Sequence, residues 1–226
     1  TPSVSTGDVA VGINVPANSG SSVVTITDMK LTAKYVMMGE QDLTPIFADE
    51  FDGSALDTDI WTAEVGDGSA QGIMQWGNNE LQYYTADNAT VSDGELSITA
   101  KYDQNNNGTA YDYTSARIQT KDAYTTTYGR VEAKVKVPAQ VGMWPAFWML
   151  PASIAYSSWP RSGEIDIMEA NGGDPTWAAT TLHFAPNYYN SYFSSMVTNT
   201  TDLDATQYHE YAVEWTEEGM TWFIDD

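Results

Sequence analysis

Alternation of apolar and polar residues predicts short β-strands along most of the chain. Residues 131–137 put four apolar side chains on one face and three charged side chains on the other, as expected for a strand with one buried face. The same alternation recurs at 96–100 and 211–215, and the segment 221–224 is short, aromatic and prone to form a strand. Turn sequences such as Asp93-Gly94 separate these segments, and helical periodicity is almost absent. The pattern predicts an all-β fold, either a sandwich of two antiparallel sheets or a barrel.

The N-terminal part of the chain differs from the rest. Residues 1–22 contain few large apolar side chains, 23–36 has the pattern of one strand, and 37–45 has the composition of a linker. Two interpretations fit equally well: residues 1–45 are the tail of another β module, or they add an N-terminal strand to the main domain. We assign residues 46–226 to the main domain. Because the last strand pattern has no successor, we expect the C-terminal strands of this domain to be missing.

Composition narrows the chemistry and the partners. The chain has 226 residues, no cysteine and two histidines, which excludes disulfides, thiolate chemistry and a three-histidine metal site. It has 31 acidic and 9 basic residues and a net charge of −22, so we expect a neutral partner rather than nucleic acid or anionic lipid. No segment approaches the roughly 20 apolar residues that cross a membrane. Abundant Thr, Asn, Ser and Gly are common in secreted β proteins, so we expect a location outside the cell or on its outer surface.

Three carboxylates within six residues form the most informative motif. Glu164 and Asp166 alternate with two isoleucines, which predicts a strand with both carboxylates on one face. Glu169 is five residues from Glu164, an odd number, so a regular strand would turn it to the other face. One extra residue at a β-bulge would restore the phase. The two Cα atoms would then be about 13 Å apart. Long side chains leaning inward could close much of the gap to the separation of about 5–5.5 Å that retaining glycosidases need.

A catalytic role for this motif competes with simpler interpretations. Exposed acidic strands are common in acidic proteins, and three carboxylates can also hold calcium. However, like charges on one strand face are destabilising, and aromatic residues surround the motif. Tryptophan faces stack on sugar rings and carboxylates cleave glycosidic bonds, although some of the eight tryptophans must pack in the core. The neighbouring aromatic residues are Trp144, Phe147, Trp148, Tyr156, Trp159 and Trp177.

Four motifs together resemble glycoside hydrolase family 16, and the chain looks like its bacterial laminarinases, which are endo-1,3-β-glucanases. The motifs are GEIDIME (163–169), WGNNELQYYT (76–85), YGRVEAKVKVP (128–138) and GMWPAFWMLP (142–151). The Glu-x-Asp-x-x-Glu form, with its extra residue, is similar to that of laminarinases, agarases and carrageenases. The resemblance implies a concanavalin-like jelly roll, a sandwich of two antiparallel sheets with the glycan in the cleft of the concave sheet.

The resemblance also implies roles for the three carboxylates. Glu164 matches the nucleophile of a retaining, double-displacement mechanism, Asp166 the helper carboxylate, and Glu169 the acid/base. Two carboxyls this close cannot both ionise freely, so their pKa values must separate. We expect the lower pKa at Glu164, because Asp166 can orient it through hydrogen bonds, and the raised pKa at Glu169.

Further site residues follow from the same resemblance. Asn78 and Arg117 match groups that bind glucose hydroxyls on the non-reducing side, and His183 matches a histidine near the scissile sugar. Many relatives carry a structural calcium ion on the convex face, held partly by backbone carbonyls, and Glu50 and Gly94 match two of these backbone positions. The remaining ligand, an aspartate near the family's C-terminus, is not in this chain. The residues that match cleft-lining aromatics are Trp144, Trp148 and Trp159.

These observations predict a monomeric retaining endo-glycosidase that hydrolyses a neutral β-1,3-glucan such as laminarin and needs no cofactor for catalysis. Two alternatives remain: a relative that acts on another polysaccharide, as agarases and carrageenases do, and a β-glucan-binding module that does not cleave. Carrageenan is sulfated, so a site that binds it should contain a basic patch. The chain has only nine lysines and arginines, which favours a neutral glucan as the substrate. The clustered carboxylates favour an enzyme, because a pure binder has no need of mutually repelling charges.

Overall fold

The computed structural model of the protein describes residues 7–14, 22–32, 45–102, 108–120, 123–153, 159–185, 193–198 and 203–225. The strands at 7–14, 22–32 and 193–198 are described by their backbone pairing alone. Most of the predicted linker at 37–45 and Tyr156 lie outside the described residues. Among the described helices, none is long and apolar enough to cross a lipid bilayer.

Within these residues the backbone forms sixteen strands and three short 3₁₀ helices. The 3₁₀ helices are Ser69–Gln71, Met74–Gly77 and Ala86–Asn88. The strands are β1 (Gly7–Asn14), β2 (Ser22–Thr32), β3 (Pro45–Asp49), β4 (Thr62–Glu64), β5 (Gln82–Tyr84), β6 (Ala89–Ser92), β7 (Glu95–Tyr102), β8 (Tyr113–Ser115), β9 (Arg117–Gln119), β10 (Gly129–Lys136), β11 (Trp144–Pro151), β12 (Glu164–Asn171), β13 (Asp174–Phe184), β14 (Phe193–Thr198), β15 (His209–Trp215) and β16 (Met220–Ile224). The predicted all-β fold with only short helical turns is confirmed.

The described strands form two sheets. Sheet A has seven strands in the order β14-β13-β12-β11-β1-β9-β4. Sheet B has nine strands: the path β16-β15-β10-β2-β7-β8-β5, with β3 paired to β2 and β6 paired to β7. Neighbouring strands are antiparallel, apart from the parallel pair β5 and β8. Buried apolar residues of both sheets form one core cluster, so the two-sheet sandwich expected from the sequence is confirmed.

Strand β10 shows how the alternating pattern determines the packing. Val131, Ala133 and Val135 are at most 2% exposed and belong to the core cluster, whereas Lys134 between them is exposed. Burying an aliphatic side chain stabilises the fold by about 1.5–3 kcal/mol relative to leaving it in water. This gain in free energy also determines the register of the strand. A slip by one residue would expose the apolar side chains and bury the charged ones.

The two N-terminal strands lie inside the sheets. In sheet A, Ala10 of β1 is paired with Trp148 of β11 on one side and with Gln119 of β9 on the other. In sheet B, β2 is paired with both β10 and β7. The strand predicted over 23–36 is found at Ser22–Thr32, and the residues after it lie outside the described part. The domain boundary at residue 45 stays a prediction.

Candidate active site

Strand β12 contains the bulge that the spacing of its carboxylates predicts. Trp148 of β11 is paired with Asp166, and the preceding residue, Phe147, is paired with Met168. Ile167 is therefore the extra residue, with no partner in the β11 ladder. The register against β13 shifts at the same point. The prediction of an extra residue between Asp166 and Glu169 is confirmed.

The bulge brings both glutamates to one face of sheet A. Ile167 and Met168 are each 1% exposed and pack in the core, whereas Glu164 and Glu169 are half-buried. Thr181 of β13 is paired with Asp166, and its side chain contacts Glu169. The three carboxylates thus face the same space beside β13.

Asp166 and His183 form the centre of the cluster. Asp166 is 3% exposed, and its Oδ2 lies 2.9 Å from His183 Nε2. Glu164 Oε1 is 3.9 Å from the same nitrogen. The indole N–H of Trp222 donates to the backbone carbonyl of Asp166 at 3.0 Å, which fixes this strand from the opposite sheet. The ring of Trp159 lies 5.6 Å from the His183 ring, centroid to centroid.

The same cluster has the donor atoms of a metal site. Ligand atoms of Glu164, Asp166 and His183 lie within 4.8 Å of one another, close enough to share a cation. In the described part of the chain this is the one set of three or more His, Cys, Asp or Glu side chains so arranged.

Glu169 is held separately from this cluster. The Trp144 indole N–H donates to its Oε1 at 2.9 Å, and the Thr181 hydroxyl donates to its Oε2 at 3.4 Å. Each carboxylate oxygen thus has its own donor, so the carboxyl group is fixed in direction while the residue remains half-buried.

Burial and mutual repulsion set the charge state of the cluster. Burial, followed by the negative charge of Asp166, raises the pKa of Glu164 from 4.5 to about 8. The same two causes raise the pKa of Glu169, and the hydrogen bond from Trp144 opposes the shift. The expectation that Glu164 has a low pKa is therefore wrong for the unliganded protein, because burial, the charge of Asp166 and the hydrogen bond with Asp166 all raise it. Burial lowers the pKa of His183, but the Asp166 hydrogen bond and the nearby carboxylates outweigh it and raise the pKa overall.

The structure brings the three predicted tryptophans to this cluster. Trp144 is 39% exposed and contacts Glu169, and Trp159 is 51% exposed and contacts His183. Trp148 is half-buried and lies beside the catalytic strand. Such exposure is unusual for an indole in a protein whose Trp61 is 1% exposed, and it leaves ring faces available to a ligand.

Arg117 is stacked on the ring of Trp148, the β11 residue that is paired with Asp166. Its guanidinium carbon is 4.6 Å from the Trp148 ring centroid and 4.5 Å from that of Trp76, so the cation is held between two indole faces. Its Nε is ion-paired with Glu64. The sequence analysis assigned no role to Trp76 or Glu64. The position of Trp76 at the start of the WGNNE motif was the available signal.

Asn78 is linked to Glu80, a carboxylate whose pKa the charge of Arg117 lowers. It is exposed, and its Nδ2 donates to Glu80 Oε1 at 3.1 Å. Glu80 is 6% exposed, and the sequence analysis missed it. Glu80 belongs to the same WGNNE motif as Asn78, and this shared motif was the signal that could have identified Glu80.

The two predicted calcium ligands, Glu50 and Gly94, do not line the same concavity. Glu50 lines an acidic concavity of about 360 Å³ together with Asp49 and Asp57. Asp49 is already engaged, because it accepts hydrogen bonds from the Trp61 indole and from a backbone N–H. Gly94 lies in the turn between β6 and β7, with φ 76°, and is not part of the concavity lining.

Comparison with known proteins agrees with this geometry. The family model of glycosyl hydrolases family 16 matches residues 77–226, which include all three carboxylates. Over 80% of its length the chain is 40% identical to glucan endo-1,3-beta-glucosidase A1 of Niallia circulans and 40% identical to a beta-glucanase of Rhodothermus marinus. It spans 28% of the length of the first relative and 62% of the second.

A solved structure agrees as well. The laminarinase catalytic domain of Thermotoga maritima MSB8 superposes with a TM-score of 0.71 at 38% identity, over 80% of this chain and 73% of that one. The family match, the relatives and the bulged carboxylate strand are mutually consistent, and the chain belongs to glycosyl hydrolases family 16.

Proposed function

We propose that the protein is a retaining endo-glycosidase that hydrolyses a neutral β-1,3-glucan of the laminarin type. The observation that carries the proposal is the bulge at Ile167, which turns Glu164 and Glu169 to one face around Asp166. Relatives named for endo-1,3-β-glucan cleavage support the linkage. The net charge of −22 supports an uncharged substrate, because a polyanion would be repelled.

In the first step Glu164 attacks the anomeric carbon. The glycosidic bond breaks, a glycosyl ester forms on Glu164, and the leaving oxygen takes a proton from Glu169. The raised pKa of Glu169 suits this role, because burial and the charge of Asp166 favour the protonated carboxyl. In the second step Glu169, now ionised, removes a proton from water, the water oxygen bonds to the anomeric carbon, and the ester bond to Glu164 breaks.

Glu164 must be ionised when it attacks, yet the unliganded protein raises its pKa to about 8. The charge of His183 opposes this shift, because it lowers the pKa of Glu164. A hydrogen bond joins Glu164 to Asp166, and His183, at 2.9 Å from Asp166, keeps that carboxyl in place. Asp166 therefore serves to orient Glu164 for the attack.

Incubation with four polysaccharides tests this function. The protein is mixed with laminarin, lichenan, agarose and carrageenan, and the products are sized. We expect β-1,3-linked oligosaccharides of intermediate length from laminarin, released with retained configuration in a proton NMR time course. Cleavage of agarose or carrageenan alone would overturn the substrate, and release of the inverted anomer would overturn the mechanism.

We also propose that the protein acts outside the cell as a monomer and binds calcium at the concavity that Glu50 lines. The backbone carbonyl of Glu50 and the carboxylate of Asp57 are oxygen ligands of the kind that Ca²⁺ prefers. Adding CaCl₂ after EGTA treatment should raise the melting temperature, and Asp57→Asn should reduce the rise. No response to calcium in the wild type would refute the calcium site.

The proposed monomeric state is tested by size-exclusion chromatography with light scattering.

A further inference from the structure

A buried carboxylate lies beneath the Asn78 side of the site, and the mechanism does not use it. Glu80 Oε1 accepts a hydrogen bond from Asn78 Nδ2 at 3.1 Å. Its Oε2 accepts from Gln82 Nε2 at 2.5 Å and from the Tyr84 hydroxyl at 2.9 Å. Gln82 and Tyr84 are at most 1% exposed, whereas Asn78 is exposed. The network therefore runs from the core to one amide at the surface.

The loop that carries Asn78 has a strained backbone. Gln75, Trp76 and Asn79 have φ values of 48°, 50° and 59°, in the left-handed region that non-glycine residues rarely adopt. Such residues persist only where their surroundings hold them. The Glu80 N–H donates to the carbonyl of Gln75 at 3.2 Å, so Glu80 anchors the loop with its backbone as well as with its side chain.

A carboxylate has a property here that an amide lacks. Burial raises the pKa of Glu80, while its hydrogen bonds and the charge of Arg117 oppose the shift and favour the ionised form. An ionised carboxylate only accepts hydrogen bonds, so it selects the N–H end of the Asn78 amide and leaves the carbonyl oxygen and the second N–H of Asn78 for a ligand. A glutamine at position 80 would present an N–H to either Asn78 or Gln82, which are both donors. Only the carboxylate satisfies both ends at once.

We propose that Glu80 is a positioning residue for glucan binding, which acts by fixing the direction of the Asn78 amide. This inference rests on the proposed function and on the sequence-based prediction that Asn78 binds the non-reducing side of the glucan. Glu80 does not touch the glucan, so its effect must pass through Asn78. It should change KM much more than kcat, because the reacting groups lie on β12.

A double-mutant cycle on the full chain tests this coupling. Asn78→Ala, Glu80→Gln and the double variant are compared with the wild type on laminarihexaose. Each single variant should raise KM by about tenfold, the effect of one binding hydrogen bond, with kcat within about twofold. The double variant should be no worse than Asn78→Ala alone. Additive effects of the two substitutions on KM would overturn the inference.

A matched control separates positioning from stability. Thr126 is 7% exposed and its hydroxyl donates to the Tyr128 carbonyl at 2.6 Å, distant in sequence from the loop. Thr126→Val removes one buried hydrogen bond and should lower the melting temperature without changing KM. If Glu80→Gln lowers the melting temperature equally and also leaves KM unchanged, Glu80 is structural only.

An exchange of partners guards against a variant that fails to fold. Asn78→Asp alone opposes two carboxylates and should raise KM strongly. In Asn78→Asp with Glu80→Gln, the amide nitrogen at 80 can donate to the carboxylate at 78 while its oxygen faces Gln82 and Tyr84. This double variant should bind laminarihexaose more tightly than Asn78→Asp alone, and a weaker affinity would contradict the proposed contact.

A readout independent of activity distinguishes failure of the inference from failure of the proposed function. In the wild type, side-chain amide NMR should show the Asn78 protons protected from exchange, and Glu80→Gln should remove the protection while Thr126→Val keeps it. An unprotected Asn78 amide in the wild type would overturn the inference even if laminarin is cleaved. Protection with no laminarin cleavage would overturn the proposed function and leave the Glu80 contact confirmed.

Discussion

Strand β10 of sheet B and strand β12 of sheet A both alternate apolar core residues with charged residues, and they differ in what surrounds those charges. On β10, Arg130 is ion-paired with Glu132 at 2.5 Å, with Glu210 at 3.2 Å and with Glu214 at 3.7 Å. The acids of β10 and its neighbour thus share a cation. Each such pair at a protein surface contributes about 0–1 kcal/mol.

On β12 the acids face one another. Glu164 lies beside Asp166, and His183 is the basic partner of both. Burial and repulsion raise the pKa of Glu164 and of Glu169, so ionising them is unfavourable in the fold. The difference teaches that an acidic residue on an alternating strand is informative when it lacks compensating cations. The β12 cluster lowers stability, and the proposed chemistry explains why it is present.

The largest expected effect is a loss of activity that follows substitution of an acid on β12 but not on β10. Glu164→Ala should lower laminarin hydrolysis by about 10⁴-fold or more, because it removes the nucleophile. Azide should restore turnover and give a glycosyl azide of inverted configuration. The matched control, Glu132→Ala on β10, should stay within about twofold of wild-type activity and melt a few degrees lower at most. Equal losses in the two variants would break the comparison.

A second substitution separates the two glutamates of β12. Glu169→Ala should lower laminarin hydrolysis by about 10²–10⁴-fold, the usual contribution of a general acid. Aryl glycosides with good leaving groups need no proton, so their glycosylation step should be nearly unaffected. Azide should then yield the retained product. The reverse pattern in the Glu164 and Glu169 variants would exchange their roles.

A smaller effect concerns the hydrogen bond that the Trp144 indole donates to Glu169. The acids of β10 and its neighbour β15 are paired with Arg130 instead. Trp144→Phe keeps an aromatic ring but removes the hydrogen bond at 2.9 Å to Glu169. This bond stabilises the ionised form, so its loss should raise the pKa of Glu169 further and move the alkaline limb of the pH–activity curve to higher pH. The value of kcat/KM at the optimum should fall by up to about tenfold. An unchanged alkaline limb would show that Trp144 serves only as a stacking surface.

The smallest effect is on stability and should appear on β12 alone. Because the pKa of Glu164 rises from 4.5 to about 8 on folding, its contribution to stability is present below pH 4.5 and is lost as the pH rises through about 8. Glutamine stays neutral, so Glu164→Gln should melt close to the wild type at pH 5 and roughly 5 °C above it at pH 9. Glu132→Gln on β10 is measured at the same two pH values as the matched control. A constant difference across pH for Glu164→Gln would refute the raised pKa.

The sequence predicted features that depend on strand geometry alone. The alternation over 131–137 predicted that Val131, Ala133 and Val135 are buried. The five-residue spacing from Glu164 to Glu169 predicted the bulge. Both follow from the two-residue period of a strand, which is a local property. The strand at Gly7–Asn14 was missed, because its small residues carry little apolar signal.

Features that depend on long-range packing could not be derived in this way. The expected low pKa of Glu164 was wrong, because the burial that raises it depends on how distant parts of the chain pack around β12. The stack of Arg117 between Trp76 and Trp148 joins three distant parts of the chain. Glu80 was overlooked for a similar reason, since an acidic residue is expected at the surface until its donors are known.

The bulge at Ile167 has a consequence for the shape of the ligand. An unpaired residue in one strand of an antiparallel pair bends that strand and increases its local twist. We therefore expect the floor beside Glu169 to bend where bond cleavage is proposed, so that a polymer following it has to bend as well. The residue that aims one carboxyl would then also favour polysaccharides that are naturally curved.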